Sequence, residues 1–169
     1  MTAMEHLTQA YSPKEPRPLG GYAVLMGAYV AMVGAFAAKA RGARTPYQLG
    51  WGDLALVAVG TQRGARLITR DKVTAVLRAP FTRFKDFASE GEVDEEPRGE
   101  GLQLAVGELL TCPWCTGQWV ATALVGGLVI APRATRLLAG TLTALAAADV
   151  LQDAYSVVQT KADRAVQSD

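Results

Sequence analysis

The sequence predicts an all-α integral membrane protein, a polytopic helix bundle with one charged loop on the cytoplasmic side. Two observations carry this prediction. Residues 19–38 contain no charged side chain, and residues 101–132 contain a single one, Glu108, whereas charges are crowded between these stretches. An uncharged run of about 20 residues is what a helix needs to cross a hydrocarbon core. We therefore expect several membrane spans.

Length and net charge narrow the classes of function. The 169 residues suffice for one domain, and half of them are apolar. The formal net charge is only +1, so bulk electrostatics predict no nucleic-acid partner. The expected partner is the lipid bilayer, and further copies of the same chain stay open as a second partner.

The N-terminal part divides into a tail and a span. Residues 1–18 are polar and rich in proline, which predicts a flexible tail. Residues 19–38 form the first span, where Gly27, Ala31 and Ala35 make a row of small residues that would let another helix approach closely. The alternative is that this row faces lipid. The apolar run exceeds the roughly 7–15 residues of a signal-peptide core, which favours a span over a cleaved leader.

A second predicted helix, residues 51–69, leads into the charged loop, residues 70–101. The apolar part of the helix is short, so it either spans the membrane or lies in the interface with its arginines reaching the headgroups. The first half of the loop carries cations that we expect at the membrane surface: Arg70, Lys72, Arg78, Arg83 and Lys85. The acidic second half predicts a mobile segment. In the alternative, both halves form a solvated loop whose opposite charges partly neutralise each other.

The remaining residues predict one short helix, two more spans and a polar tail. A Cys-Pro-Trp-Cys sequence begins the third span, because Pro113 suits the first turn of a helix and Trp114 fits an interfacial aromatic belt. The expected elements are a short helix over residues 102–110, spans over residues 113–131 and 136–158, and a tail over residues 159–169.

Two groups of residues resemble a known family. The first consists of residues 66–73 (RLITRDKV) and 77–81 (LRAPF), and the second of residues 107–115 (GELLTCPWC) with Gly117 and Trp119. Together they resemble a bacterial membrane family known only as domain of unknown function 1360, some of whose members are associated with sporulation. The resemblance covers roughly residues 50–155 and implies a class of protein without an established activity.

The resemblance also implies a topology. In shorter family members the helix matching residues 51–69 is apolar enough to span, which favours four spans here. The positive-inside rule then places residues 70–101 and both termini in the cytoplasm. Lys39, Arg41 and Arg44 would lie outside in that arrangement. A three-span arrangement, with residue 1 outside and residues 51–69 lying on the membrane, removes this conflict and remains open.

Four polar residues of the last span fall on one helix face: Asp149, Gln152, Asp153 and Ser156. Charges at membrane depth are costly and usually face a partner or a cavity. Arg63 and Arg66 are the expected partners, because they lie one turn apart on another embedded helix. We expect ion pairs that hold helices together rather than a proton or ion path, because a path normally needs more titratable groups.

Cys112 and Cys115 form a C-x-x-C pair. If Cys112 is the N-cap of the third span, the helix dipole would favour its thiolate, which is the basis of redox activity at such a position. A closed zinc site needs about four ligands, so two thiolates would have to be shared between protomers or joined by a further ligand such as Glu108. In the third interpretation the cysteines are small residues that pack at a helix start.

Three functions therefore stay open. The first is a non-enzymatic membrane scaffold or envelope component, for which the resemblance suggests a role in sporulation or development. The second is a membrane thiol-redox or metal-binding protein, and the third is a small transporter or channel component. No cofactor is predicted. The one histidine, His6, lies in the tail, and no phosphate-binding glycine loop is present, which favours a protein that is not an enzyme.

Overall fold

The computed structural model describes residues 10–14, 17–42, 48–89 and 91–167, with side chains as far as residue 161. This part of the chain is mostly helical. The helices are α1 (Leu19–Gly42), α2 (Trp51–Thr69), α3 (Ala75–Arg78), α4 (Gly101–Thr111), α5 (Pro113–Ile130) and α6 (Pro132–Gln167). A 3-10 turn (Lys72–Thr74) precedes α3, and the strands β1 (Thr82–Phe87) and β2 (Val93–Pro97) follow it.

The centre of the bundle lies where α2 packs against α5 and α6. Val57, Leu124, Leu128 and Ala139 form its buried apolar cluster. The approach of α6 is close because α2 has a glycine there: a Cβ atom on Gly60 would lie 3.3 Å from the carbonyl oxygen of Ala139. Small residues at such crossings let two backbones pack together.

The helix α1 packs on α4 and α5. The close contact is at Gly21, where a Cβ atom would lie 2.7 Å from that of Ala105. The predicted row of Gly27, Ala31 and Ala35 is exposed instead. The row is therefore not a helix contact within the described chain, and the alternative that it faces lipid stays a prediction.

Residues 70–101, predicted as a charged and partly mobile loop, contain folded structure. The strands β1 and β2 pair antiparallel as a hairpin, with Thr82 opposite Pro97 and Phe87 opposite Val93. The helix α4 packs against the base of this hairpin at Gly107, where a Cβ atom would lie only 2.5 Å from the carbonyl oxygen of Phe81. The all-α prediction thus holds for the bundle and omits a two-stranded sheet.

Within the described ranges, two helices are long and apolar enough to cross a membrane, Leu19–Gly42 and the Pro132–Lys161 part of α6. Both expose large apolar side chains, among them Val30 and Leu138. The last helix starts before residue 136 and continues to Gln167, so the predicted tail over residues 159–169 is helical as far as it is described. Residues 168–169 of that tail, most of the tail over residues 1–18, and Arg44 lie outside the described residues.

Candidate functional site: an arginine–carboxylate cluster

Arg78 is the centre of a charged cluster between the hairpin and the end of α2. Its side chain is 0% exposed, and its Nε donates to Glu95 Oε2 at 2.7 Å. Its Nη2 donates to Glu95 Oε1 at 3.3 Å, so the pair is bidentate. The other donors reach Ile68 O, Thr74 Oγ1 and Asp71 O at 2.8, 2.7 and 3.2 Å. A buried guanidinium with its donors engaged in this way fixes the hairpin to α2.

Two more acids of the hairpin pair with arginines at the end of α2. Arg66 Nε donates to Glu92 Oε1 at 2.9 Å, and Arg70 Nη1 donates to Asp94 Oδ1 at 2.8 Å. Lys85 Nζ lies 3.4 Å from Asp94 Oδ2. Burial acts to raise the pKa of Asp94, but hydrogen bonds from Lys85 and Arg70 outweigh it and hold that pKa below its ordinary value. The acidic and basic blocks of the sequence therefore neutralise each other through specific pairs.

Arg63 links α2 to α6. Its Nη atoms donate to the two carboxylate oxygens of Asp71 at 3.2 and 2.9 Å, and its Nε lies 2.8 Å from Asp149 Oδ2. The contact with Asp149 has the distance of an ion pair but not the angle of a hydrogen bond. Of the two arginines expected to pair with Asp149, Arg63 does so and Arg66 turns to the hairpin instead. Asp153 is exposed.

A polar hollow of about 480 Å³ lies beside the Arg63–Asp149 pair. It is lined from α6 by Gln152, Asp153 and Ser156, the face that helical spacing predicted. Ser89 of the hairpin closes another side. The predicted polar face of the last helix thus looks onto the hairpin.

The five cations expected at a membrane surface have different environments. Arg78 is buried and cannot contact lipid headgroups, so that part of the prediction is wrong. Arg70 and Lys85 are held by Asp94, as described above. Lys72 is exposed, with Nζ 4.8 Å from the centre of the Phe87 ring, and Arg83 is exposed. Charge count along the sequence could not separate a buried arginine from an exposed one.

Cys112 stands between α4 and α5 and caps the latter. Its Sγ accepts a hydrogen bond from the Cys115 backbone N–H at 3.3 Å, with Pro113 in the first turn as expected. Both thiols are free, and Cys115 is exposed. Glu108 points elsewhere, since its carboxylate accepts from Tyr22 Oη and from Arg17 Nη1. Among the described residues no group of three or more His, Cys, Asp or Glu side chains is arranged to hold a metal ion.

Another ion pair was not predicted. Arg136 Nε and Nη2 donate to the two oxygens of Asp53 at 2.8 and 3.1 Å, joining the start of α2 to the start of α6. Asp53 is buried, and its isolated charge in an apolar helix was a signal that a cation should be sought nearby. Glu108 gave the same signal, as the one charge in residues 101–132, and its partners are Tyr22 and Arg17.

A family model described as "Protein of unknown function (DUF1360)" matches residues 56–155, which is more than half of the chain. The chain belongs to the DUF1360 family. Two proteins of Bacillus subtilis (strain 168) are similar to it. The sporulation protein YjcA is 33% identical over 88 residues, covering 50% of this chain and 75% of YjcA. The UPF0713 protein YngL is 30% identical over 103 residues, covering 60% of this chain and 77% of YngL. No solved structure matches the chain.

The DUF1360 match begins in α2 and ends in α6, so α1 lies outside it. Within it, residues 66–73 and 77–81 supply the arginines that hold the hairpin, and residues 107–115 form the junction of α4 and α5. The residues that carry the family resemblance therefore lie in the arginine–carboxylate cluster and at the junction of α4 and α5.

Proposed function

We propose that the chain is a multi-pass membrane protein with a cytoplasmic hairpin, acting as a non-enzymatic scaffold or envelope component in sporulation or development. The observation that carries this proposal is the Arg78–Glu95 pair. Through this pair, a segment that carries the family resemblance holds the hairpin in a fixed position at the end of α2. The similarity to YjcA, a sporulation protein of Bacillus subtilis, supports a link to sporulation.

The proposed topology has four spans, formed by α1, α2, α5 and α6. Two of them pass the test of length and composition on their own, as described above. The packing of α2 against both α5 and α6 supports its inclusion, and α2 also exposes Leu54 and Val59. The basic end of α2 favours a cytoplasmic hairpin by the positive-inside rule.

Cysteine accessibility tests this topology. In a Cys112→Ser, Cys115→Ser background, we expect Ser89→Cys to be protected from an impermeant maleimide in intact cells and labelled after permeabilisation. Ala131→Cys, in the turn between α5 and α6, is the matched control and should label in intact cells. Gln48→Cys separates the arrangements, since it is outside with four spans and inside with three. Ready labelling of Ser89→Cys in intact cells would overturn the orientation.

Complementation of a gene deletion tests the scaffold role. A scaffold should tolerate Cys112→Ser with Cys115→Ser, and also Asp149→Asn, provided that the protein accumulates normally. It should fail with Glu95→Gln, which removes the partner of Arg78. Failure of the cysteine variant at normal abundance would instead establish a thiol function, and failure of Asp149→Asn would point to transport.

The second candidate is a thiol-redox or metal-binding role. It is favoured by one observation: Cys112 Sγ lies against the Cys115 backbone, and Cys115 is exposed. A zinc ion would have to be shared between protomers in a homo-oligomer, because one chain offers two thiolates. Metal analysis and thiol counting on one purified sample, with its oligomeric state, decide between this candidate and the scaffold.

A further inference from the structure

A groove of about 620 Å³ runs between α2 and the first turns of α5. Its floor is lined by small residues, Ala58 and Ala65 on α2 and Gly117 on α5, with the polar Thr61 and Gln62 beside them. Trp114 forms part of its wall and is 86% exposed. Volumes of this order are common among small-molecule sites, which span about 300–1,000 Å³.

One end of the groove is charged. Arg66 and Arg70 line it, together with Glu92. Arg66 pairs with Glu92, and Arg70 pairs with Asp94, which Lys85 also contacts. Of these five side chains Arg66, Arg70 and Glu92 line the groove, so its charged end carries two cations against one carboxylate. From Ala58 to Arg70 the groove follows α2 for about 18 Å, at about 1.5 Å per residue.

We propose that this groove binds one molecule of anionic phospholipid, with an acyl chain along the floor of Ala58, Ala65 and Gly117. The phosphate lies at Arg66 and Arg70. An occupant must be long, apolar along most of its length and anionic at one end, and a phospholipid has that form. The charged end also lies where α2 leaves the membrane in the proposed topology, at the leaflet in which anionic headgroups attract basic residues. The inference rests on the proposed membrane location.

Trp114 reports directly on occupancy of the groove. Trp51→Phe and Trp119→Phe leave it as the single tryptophan, and the full chain is reconstituted in vesicles of brominated phosphatidylglycerol or brominated phosphatidylcholine. Quenching in mixtures with unbrominated lipid gives the relative affinity of the two lipids for this position. We expect a preference of about fivefold for phosphatidylglycerol, the size of one basic residue acting on an anionic lipid.

Paired variants separate the groove from the general charge of the surface. Arg70→Gln should abolish the preference, whereas Glu92→Gln should increase it by freeing Arg66. Ala58→Phe should abolish it without changing any charge, because the ring fills the floor. Arg83→Gln, an exposed cation of the hairpin outside the groove, should leave it unchanged.

The outcomes distinguish the two proposals. Equal quenching by both lipids would overturn the lipid site and leave the membrane location intact. The same would follow if Arg70→Gln and Arg83→Gln lost the preference for phosphatidylglycerol to the same extent. Absence of quenching by either lipid would overturn the membrane location itself. A hairpin merely loosened by mutation would lower the preference in Glu92→Gln as well, and that result would also refute the site.

Discussion

Replacing Glu95 by glutamine should release the hairpin from the bundle. Both carboxylate oxygens of Glu95 accept hydrogen bonds from Arg78. Glutamine has one acceptor oxygen and no negative charge, so it can keep at most one of these hydrogen bonds. The hydrogen bonds of Arg78 to Ile68, Thr74 and Asp71 would remain. The variant therefore leaves a buried guanidinium partly bonded but without a counter-ion.

The expected cost follows from burial. The side chains of Arg78 and Glu95 are 0% and 6% exposed, so solvent does little to screen the charge that is left. Removing one partner of a buried pair costs about 3–5 kcal/mol. Since about 1.4 kcal/mol is a factor of ten, the equilibrium for opening the hairpin should rise by roughly two to three and a half powers of ten.

Hydrogen exchange followed by mass spectrometry measures this opening in the purified full chain. The informative amides are those that close the hairpin onto α2, such as Val93 N–H, which donates to Arg70 O, and Lys72 N–H, which donates to Gly91 O. Exchange of the α5 amides provides an internal reference, because the bundle should remain folded. Local opening of this kind is what native-state exchange detects.

Glu96→Gln is the matched control, since Glu96 is the neighbouring acid on β2 and is exposed. It should change the free energy of hairpin opening, as measured by exchange, by less than about 0.5 kcal/mol. The double variant Arg78→Met, Glu95→Leu should recover part of the loss, because it leaves no unpaired buried charge. If Glu95→Gln and Glu96→Gln behave alike, the buried pair does not hold the hairpin and the reasoning is refuted.

Four further outcomes are expected. Asp149→Asn should lower the free energy of unfolding by only about 1 kcal/mol or less, because Asp149 is 40% exposed and Arg63 keeps its bonds to Asp71. Asp71→Asn should lower it more, and equal losses in detergent unfolding would contradict this ranking. Asp94 has a lowered pKa in the folded protein, so its contribution to stability is present above the ordinary value of 3.8 and is lost as pH falls further, and Asp94→Asn should flatten that acid limb in hairpin exchange. Gly107→Ala should disrupt packing of α4 on the hairpin, whereas Gly34→Ala, with open space at its Cβ, should stabilise α1 by up to about 1 kcal/mol. Thermal melts should therefore show a lower melting temperature for Gly107→Ala and an equal or higher one for Gly34→Ala. Cys112 and Cys115 should be two free thiols in the cytoplasmic state, and a stoichiometric disulfide after acid quench and alkylation would contradict both the orientation and the scaffold role.

The helices were predictable because their signals are local. Uncharged runs and the proline of the C-P-W-C sequence place α1, α2, α4 and α5 within a few residues of their observed bounds, whereas α6 extends beyond its predicted range at both ends. The pairing of Asp149 with an arginine of α2 was also predictable, since a charge in an apolar helix needs a partner and few cations were available. That these helices span a membrane remains a proposal, supported by length and composition for α1 and α6.

The hairpin was not predictable in the same way. Charged residues such as Lys85 and Asp86 have low strand propensity, so β1 and β2 lack the alternating apolar pattern that marks a strand. Their pairing is stabilised by long-range contacts, of which Arg78–Glu95 spans 17 positions along the chain. Sequence order shows two blocks of opposite charge but does not say which arginine meets which acid.

The helix α6 is longer than a bilayer is thick. Its 36 residues extend about 54 Å at a rise of about 1.5 Å each, against a hydrocarbon core of about 30 Å. In the proposed topology, with Pro132 at the outer boundary, Asp149 lies about 26 Å along the helix, near the inner boundary, and Asp153 lies about 32 Å along it, at the edge of the water. The remaining turns form a rigid spacer about 20 Å long on the hairpin side. A group attached at Gln167 would therefore be held at a fixed distance from the headgroups.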